Sequence, residues 1–289
     1  MRTTRDPEPP GGESGGRLRD FGSRGIPILC FHDVSDTKNA AFGPYILAVK
    51  RFTRLMALLR RWRYRPITLD QLLDHLEHGG PLPRRPVVIT FDDGYKDLKA
   101  TATPLLARLG FAHTHFVNTG RLGGTTQWVA EAPDIPILDR RDLQQMIADH
   151  GDWVDFQAHG QTHRSFAGLD RLTLEREVLD CQASLETIVG RPVRYVAYPY
   201  GEYDDAVTET LASLAVRGSF TVDQGLCRRG QNPHRLPRVE IFAGDTTLDF
   251  ALKLRFGWSP ISSLGTLPLP RILKRLYRRL TGRVTPLTP

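Results

Sequence analysis

Cysteine is scarce in this 289-residue chain: Cys30, Cys181 and Cys227 lie far apart and make no C-x-x-C pair. That spacing excludes a disulfide framework and a thiolate-rich metal site, and it fits a reducing compartment. Long apolar runs are missing as well, with nothing near the roughly 20 residues that a membrane-spanning helix needs. Residues 1–25 are rich in Gly, Arg, Glu and Pro and hold no apolar signal-peptide core, so a disordered leader and a cytoplasmic chain are expected. Acid is absent after Asp249, whereas Lys253, Arg255, Arg271, Lys274, Arg275, Arg278, Arg279 and Arg283 follow it. The net charge of +7 therefore belongs to the C-terminal segment, because residues 1–249 hold 31 basic against 32 acidic side chains. With no basic groove in the body, nucleic acid is not an expected partner. There is no internal repeat and no G-x-G-x-x-G or P-loop pattern.

What is present is a composition that can bury a full core, 40% hydrophobic, arranged as alternating strand and helix patterns. Strands are expected over 26–31, 87–91, 113–117, 154–157, 195–198, 219–222 and 239–242. Helices are expected over 48–62, from the capping-box sequence Thr68-Leu-Asp-Gln71, and over 96–109, 139–150 and 172–189. Such alternation requires parallel pairing through right-handed crossovers, which gives either an open doubly wound sheet or a closed barrel. Both gather the strands' C-terminal ends, and with them His32, Asp92, Asp93, His159 and Tyr200, at one rim.

The densest signal is Val87-Val-Ile-Thr-Phe-Asp-Asp-Gly-Tyr95, a buried apolar run that ends in two adjacent carboxylates. Alone, Asp93-Gly94 reads as a turn and Asp92 as a helix cap. Neighbouring like charges, however, favour a bound cation or an altered pKa. Ala158-His-Gly-Gln-Thr-His163 places two imidazoles four residues apart, the spacing at which one helical turn brings both to one ion. Gly160 stands where a zinc protease would need Glu, so that reading fails. A carboxylate from another strand would complete a two-histidine, one-carboxylate site with open positions.

In order along the chain, Thr90-Phe-Asp-Asp-Gly94, His159-Gly-Gln-Thr-His163 and Tyr198-Pro-Tyr-Gly201 resemble the motifs of the polysaccharide deacetylases of the NodB-homology type, carbohydrate esterase family 4. The resemblance runs from about residue 26 to 250. It implies an α/β fold, a distorted, incomplete (β/α)7 barrel. It also implies a hydrolase that removes N-acetyl groups from an amino sugar or polysaccharide. Carried over residue by residue, it makes Asp93, His159 and His163 ligands of a divalent metal, zinc first with iron, cobalt or nickel as alternatives. Asp92 becomes the general base, the backbone N–H of Tyr200 a donor to the oxyanion, and Tyr198 and Tyr200 substrate contacts. The motif arginine before Pro-Tyr is replaced by Ala197, and the family's Asp-x-x-Asp-Trp and late Leu-His segments are not found. Asp149-His-Gly-Asp-Trp153 carries similar letters but comes before the histidine pair. Ile28-Leu-Cys-Phe-His-Asp-Val34 and Leu236-Pro-Arg-Val239 look like the branch acting on poly-N-acetylglucosamine and related exopolysaccharides. On that basis His32 is expected to protonate the leaving amine or position substrate, and Arg238 to stand in for the missing arginine. Trp128, on a loop after Gly123-Gly124, either stacks on a sugar face or covers the barrel rim.

The expected organisation is a leader over 1–25, a catalytic domain over 26–256 and a basic tail over 257–289. Within the tail, 270–282 reads as a short amphipathic helix, with Ile272, Leu273, Leu276 and Leu280 on one side. It would either pack on the barrel wall or make peripheral contact with an anionic membrane. Two other functions remain open: a non-haem iron oxygenase using the same three ligands, and a non-catalytic carbohydrate-binding scaffold on a degenerate barrel.

Overall fold

Strands and helices alternate along the chain as expected in the computed structural model, which describes residues 25–36, 43–128 and 134–261. The leader and the 270–282 helix lie outside the described residues. The elements are β1 Ile28–Phe31, β2 Asp33–Val34, β3 Ile46–Leu47, α1 Val49–Arg61, β4 Arg65–Pro66, α2 Leu69–His78, β5 Pro86–Phe91, α3 Ala102–Leu109, β6 His113–Val117, α4 Arg140–His150, β7 Val154–Ala158, α5 Arg171–Val189, β8 Tyr195–Ala197, α6 Asp205–Ser213, β9 Gly218–Phe220, β10 Val239–Glu240 and α7 Thr247–Phe256. The main sheet is parallel in the order β10-β1-β5-β6-β7-β8-β9, with β4 pairing β5 at one side and β2 and β3 forming a separate pair. Seven strands thus curve into an incomplete barrel in which β9 and β10 do not pair. The register Cys30↔Thr90 and Phe31↔Phe91 sets the ends of β1 and β5 level, so His32 and Asp92 leave the sheet side by side. Among the described residues, no helix is long and apolar enough to cross a membrane.

β5 lies inside the sheet and is buried from Val87 to Phe91, as its β-branched run requires. The helix caps follow the sequence closely. Thr68 and Gln71 close a capping box on α2, and Asp139 and Asp142 close one on α4. The single helix expected over 96–109 is broken into a 3-10 turn, Lys96–Lys99, and α3. Pro104 explains the break: it has no N–H for an i−4 carbonyl and is tolerated only in a first turn, so the helix restarts at Ala102. α6 and α7 are not announced by apolar periodicity. Residues 248–256, Leu-Asp-Phe-Ala-Leu-Lys-Leu-Arg-Phe, come close to strand-like alternation. The capping box of Thr246 with Asp249 makes them a helix all the same. Contacts continue past α7, where Ser259 Oγ donates to Asp249 Oδ1 at 2.6 Å.

Two histidines of β6 are buried inside the sheet. His115 is stacked between Phe91 and Phe156, and His113 Nδ1 donates to Phe111 O at 3.0 Å. Burial holds His113 down at about 4 and pushes His115 well below the ordinary histidine range. Below pH 6.5 the unfolded chain therefore takes up a proton that the folded core refuses. Stability from this source is complete above about pH 6.5 and is lost as the pH falls towards 4, with about 3 kcal/mol at stake for His113. Urea melts at pH 7 and 4.5 should show a smaller pH-dependent loss for His113→Phe than for wild type. An unchanged difference would mean that His113 does not drive the acid sensitivity.

Candidate active site

Five non-glycine residues among those described adopt left-handed backbone, and three of them, Asp93, His163 and Tyr200, are sequence-expected site residues. Their φ angles are 70°, 64° and 59°. Such conformations cost free energy and persist where the surroundings over-determine them, as they do around reacting groups. Glycines in left-handed backbone stand beside two of them, Gly94 and Gly201, and a third, Gly160, opens the histidine turn. At Gly201 an added Cβ would lie 2.2 Å from Val222 Cγ2. Gly201→Ala is therefore expected to cost about 2 kcal/mol or more in a denaturant melt, the sum of left-handed strain and overpacking. A loss below the error of the melt would mean that the turn relaxes freely.

Asp93, His159 and His163 converge at the C-terminal ends of β5 and β7. Asp93 Oδ1 lies 3.0 Å from His163 Nε2 and 3.3 Å from His159 Nε2, and all three residues are buried. A tetrahedral ion with bonds of about 2.0–2.1 Å keeps its ligand atoms about 3.3–3.4 Å apart, so the donor set and its spacing fit a zinc-sized cation. His159 Nδ1 donates to Ala197 O at 2.8 Å, the arrangement that leaves Nε2 as the lone-pair nitrogen. Asn118 Nδ2 donates to His159 O. His163 Nδ1 is buried without a partner, so on that side packing orients the ring: Trp128 stacks on it at 4.3 Å, and Tyr200 meets it at 4.7 Å. Contrary to the expected helical turn, the histidine pair sits on a loop, because left-handed Gly160 and His163 bend the chain. Burial alone would raise the Asp93 carboxyl, but His163 and His159 hold it well below the ordinary range.

Asp92 points to a different set of partners. Arg238 grips it from both nitrogens, Nη1 to Oδ1 at 2.7 Å and Nη2 to Oδ2 at 2.6 Å, while Arg238 Nε donates to Thr221 O at 2.9 Å. Both side chains are buried. Burial raises the Asp92 carboxyl, but the guanidinium, with His159 and His32, outweighs it and leaves the group below its usual value. Cys30 Sγ lies 3.5 Å from Asp92 Oδ2, and a ring nitrogen of His32 lies within 4.8 Å of an Asp92 oxygen. His32 is half-buried and rests against the Tyr45 ring at 4.7 Å. The two adjacent aspartates thus have separate surroundings, one facing imidazoles and the other a guanidinium.

Tyr200 is 49% exposed at the rim, and Trp128 is half-buried with one ring face taken by His163. Tyr198 corrects the expectation of a substrate contact. It is fully buried, its hydroxyl donates to His234 O at 2.8 Å, and it packs against Phe166 and Tyr203, so it supports the 199–201 turn from behind. Trp153 lies before β7, at the opposite end of the sheet from the site, which removes Asp149–Trp153 from consideration. Tyr45, Asn118 and Glu177 were not legible as site neighbours, since each acts through a contact distant in sequence.

The family model for polysaccharide deacetylase matches residues 79–219. The poly-beta-1,6-N-acetyl-D-glucosamine N-deacetylase of Staphylococcus epidermidis is 24% identical over 183 residues, covering 60% of each chain. Among solved structures, IcaB from Ammonifex degensii superposes with a TM-score of 0.68 at 23% identity, over 82% of this chain and 98% of its own. The Streptococcus pyogenes deacetylase PplD in complex with acetate gives 0.69 at 20% identity, over 80% and 98%.

Proposed function

We propose that the chain, whose residues 79–219 match the polysaccharide deacetylase model, is a metal-dependent hydrolase that removes N-acetyl groups from poly-N-acetylglucosamine or a related amino-sugar polymer. The observation that carries the reading is the division of Asp92 and Asp93 between two environments at one rim. Asp93, His159 and His163 would hold the divalent ion, and their carboxylate and imidazole donors suit zinc. When bound, such an ion makes water nucleophilic near neutral pH and polarises the amide carbonyl.

The protein's own groups supply the rest. Asp92 stays ionised beside Arg238, and lone pairs that the guanidinium does not use can accept the proton of the attacking water. The Tyr200 backbone N–H donates to the oxygen that becomes negative as the carbonyl turns tetrahedral. His32, next to Asp92 and held by Tyr45, delivers a proton to the departing nitrogen. Arg238 fills the place left by Ala197, which removes the main reason for a non-catalytic scaffold. An oxygenase would have no use for a second, separately held carboxylate.

Acetate release from β-1,6-linked N-acetylglucosamine oligomers tests the proposal. Release should require zinc, stop on chelation and return when zinc is added back. Sugar binding without acetate release under all conditions would instead favour the scaffold.

A further inference from the structure

The turn from His159 to His163 is neither helix nor strand, and it holds two imidazoles 5.1 Å apart through two left-handed residues. Such a segment does not keep one shape by itself, because its N–H groups lack ladder partners and its torsions are not the most stable ones. One buried side chain meets these needs. Glu177, in the second turn of α5, is 5% exposed. Its Oε2 accepts the Gln161 and Thr162 N–H groups at 2.8 and 2.9 Å, and its Oε1 accepts the Thr162 hydroxyl at 2.7 Å. Arg164 Nε stands 3.3 Å from Oε1 and balances the charge. Gly160 leaves the space: a Cβ there would lie 3.3 Å from Glu177 Oε2, and 3.1 Å from Phe166. A single carboxylate thus ties two successive N–H groups and a hydroxyl between the two histidines, while Gln161 O receives the Gly120 N–H at 2.8 Å from the other side.

We propose that Glu177 is a positioning residue for metal binding: it fixes the 159–163 turn so that both Nε2 atoms face Asp93 before the ion arrives. The proposal rests on reading His159 and His163 as ligands. A carboxylate that only stabilised the fold would change the melting temperature and leave the metal affinity of the folded chain alone. A group that preorganises ligands changes the affinity itself.

Zinc titration of the metal-free full chain against a chromophoric chelator, well below the melting temperature of each variant, separates these outcomes. Glu177→Ala should bind zinc about 10–100-fold more weakly than wild type. Glu177→Gln, which keeps an acceptor oxygen for the backbone but loses the charge, should fall between, at about fivefold. Thr162→Val, which removes the hydroxyl's bonds to Glu177 and from Arg164 but leaves both backbone N–H groups held, should weaken binding least. His163→Ala is the reference for loss of a ligand. If it loses zinc while Glu177→Ala binds as wild type, Glu177 has no positioning role and the proposal falls alone. If His163→Ala itself binds as wild type, the ligand set is wrong and takes the proposal with it. Should Glu177→Ala not fold, Glu177→Gln decides, and wild-type affinity in that variant overturns the proposal.

Discussion

Asp92→Asn is expected to slow acetate release by about 10²–10⁴-fold, the usual contribution of a positioned general base, with bound zinc unchanged. The substitution keeps the shape of the side chain and removes its ability to take a proton. Zinc should be retained because the Asp92 oxygens face Arg238 and Cys30, whereas Asp93 Oδ1 faces the two imidazoles. Asp93→Asn makes the informative contrast. It leaves the Asp92–Arg238 pair intact but weakens a charged ligand, so zinc and activity should be lost together. A two-by-two comparison of zinc content and acetate release therefore assigns the roles, and release at the wild-type rate by zinc-loaded Asp92→Asn would refute Asp92 as the base.

Much of this division was open to reading from the chain. A β-branched run ending in Asp-Asp-Gly must leave a buried strand at a polar rim, and the histidine pair must follow another strand in a parallel α/β fold. What one sequence could not give was the support behind these groups. Glu177 lies 16 residues from Gln161, on the far side of a helix start, and nothing in its neighbours distinguishes it from the other acids of α5. Tyr198 illustrates the opposite error. It sits inside a motif, yet the pleat turns its side chain into the core while Tyr200, two residues on and past the strand end, is left exposed by its left-handed backbone. α7 was hidden because its apolar residues cover two faces, and only the local competition of caps against alternation decides such a segment.

Arg238→Met should be the most damaging single change to stability, and it should lower activity as well. The guanidinium sits where the barrel is not closed, reaching from Thr221 O beyond β9 to Asp92 at the end of β5, and it is completely buried. Methionine fills much of the volume but leaves Asp92 as a buried carboxylate without its cation, a situation that costs about 3–5 kcal/mol. Asp92 can escape that cost by taking up a proton, because burial raises its carboxyl and, with the guanidinium gone, only His159 and His32 are left to lower it. A protonated Asp92 cannot act as a base, so the acidic limb of the rate profile should move to higher pH and activity at neutral pH should fall. The double variant Arg238→Met/Asp92→Asn separates electrostatics from packing. With neither charge left, it should recover most of the stability lost in Arg238→Met, since replacing a whole buried pair is often near neutral, and it should recover none of the activity. If the double variant stays as unstable as Arg238→Met, the arginine acts through packing across the β9–β10 gap, against Phe116 among others, and its charge on Asp92 is not what the fold depends on.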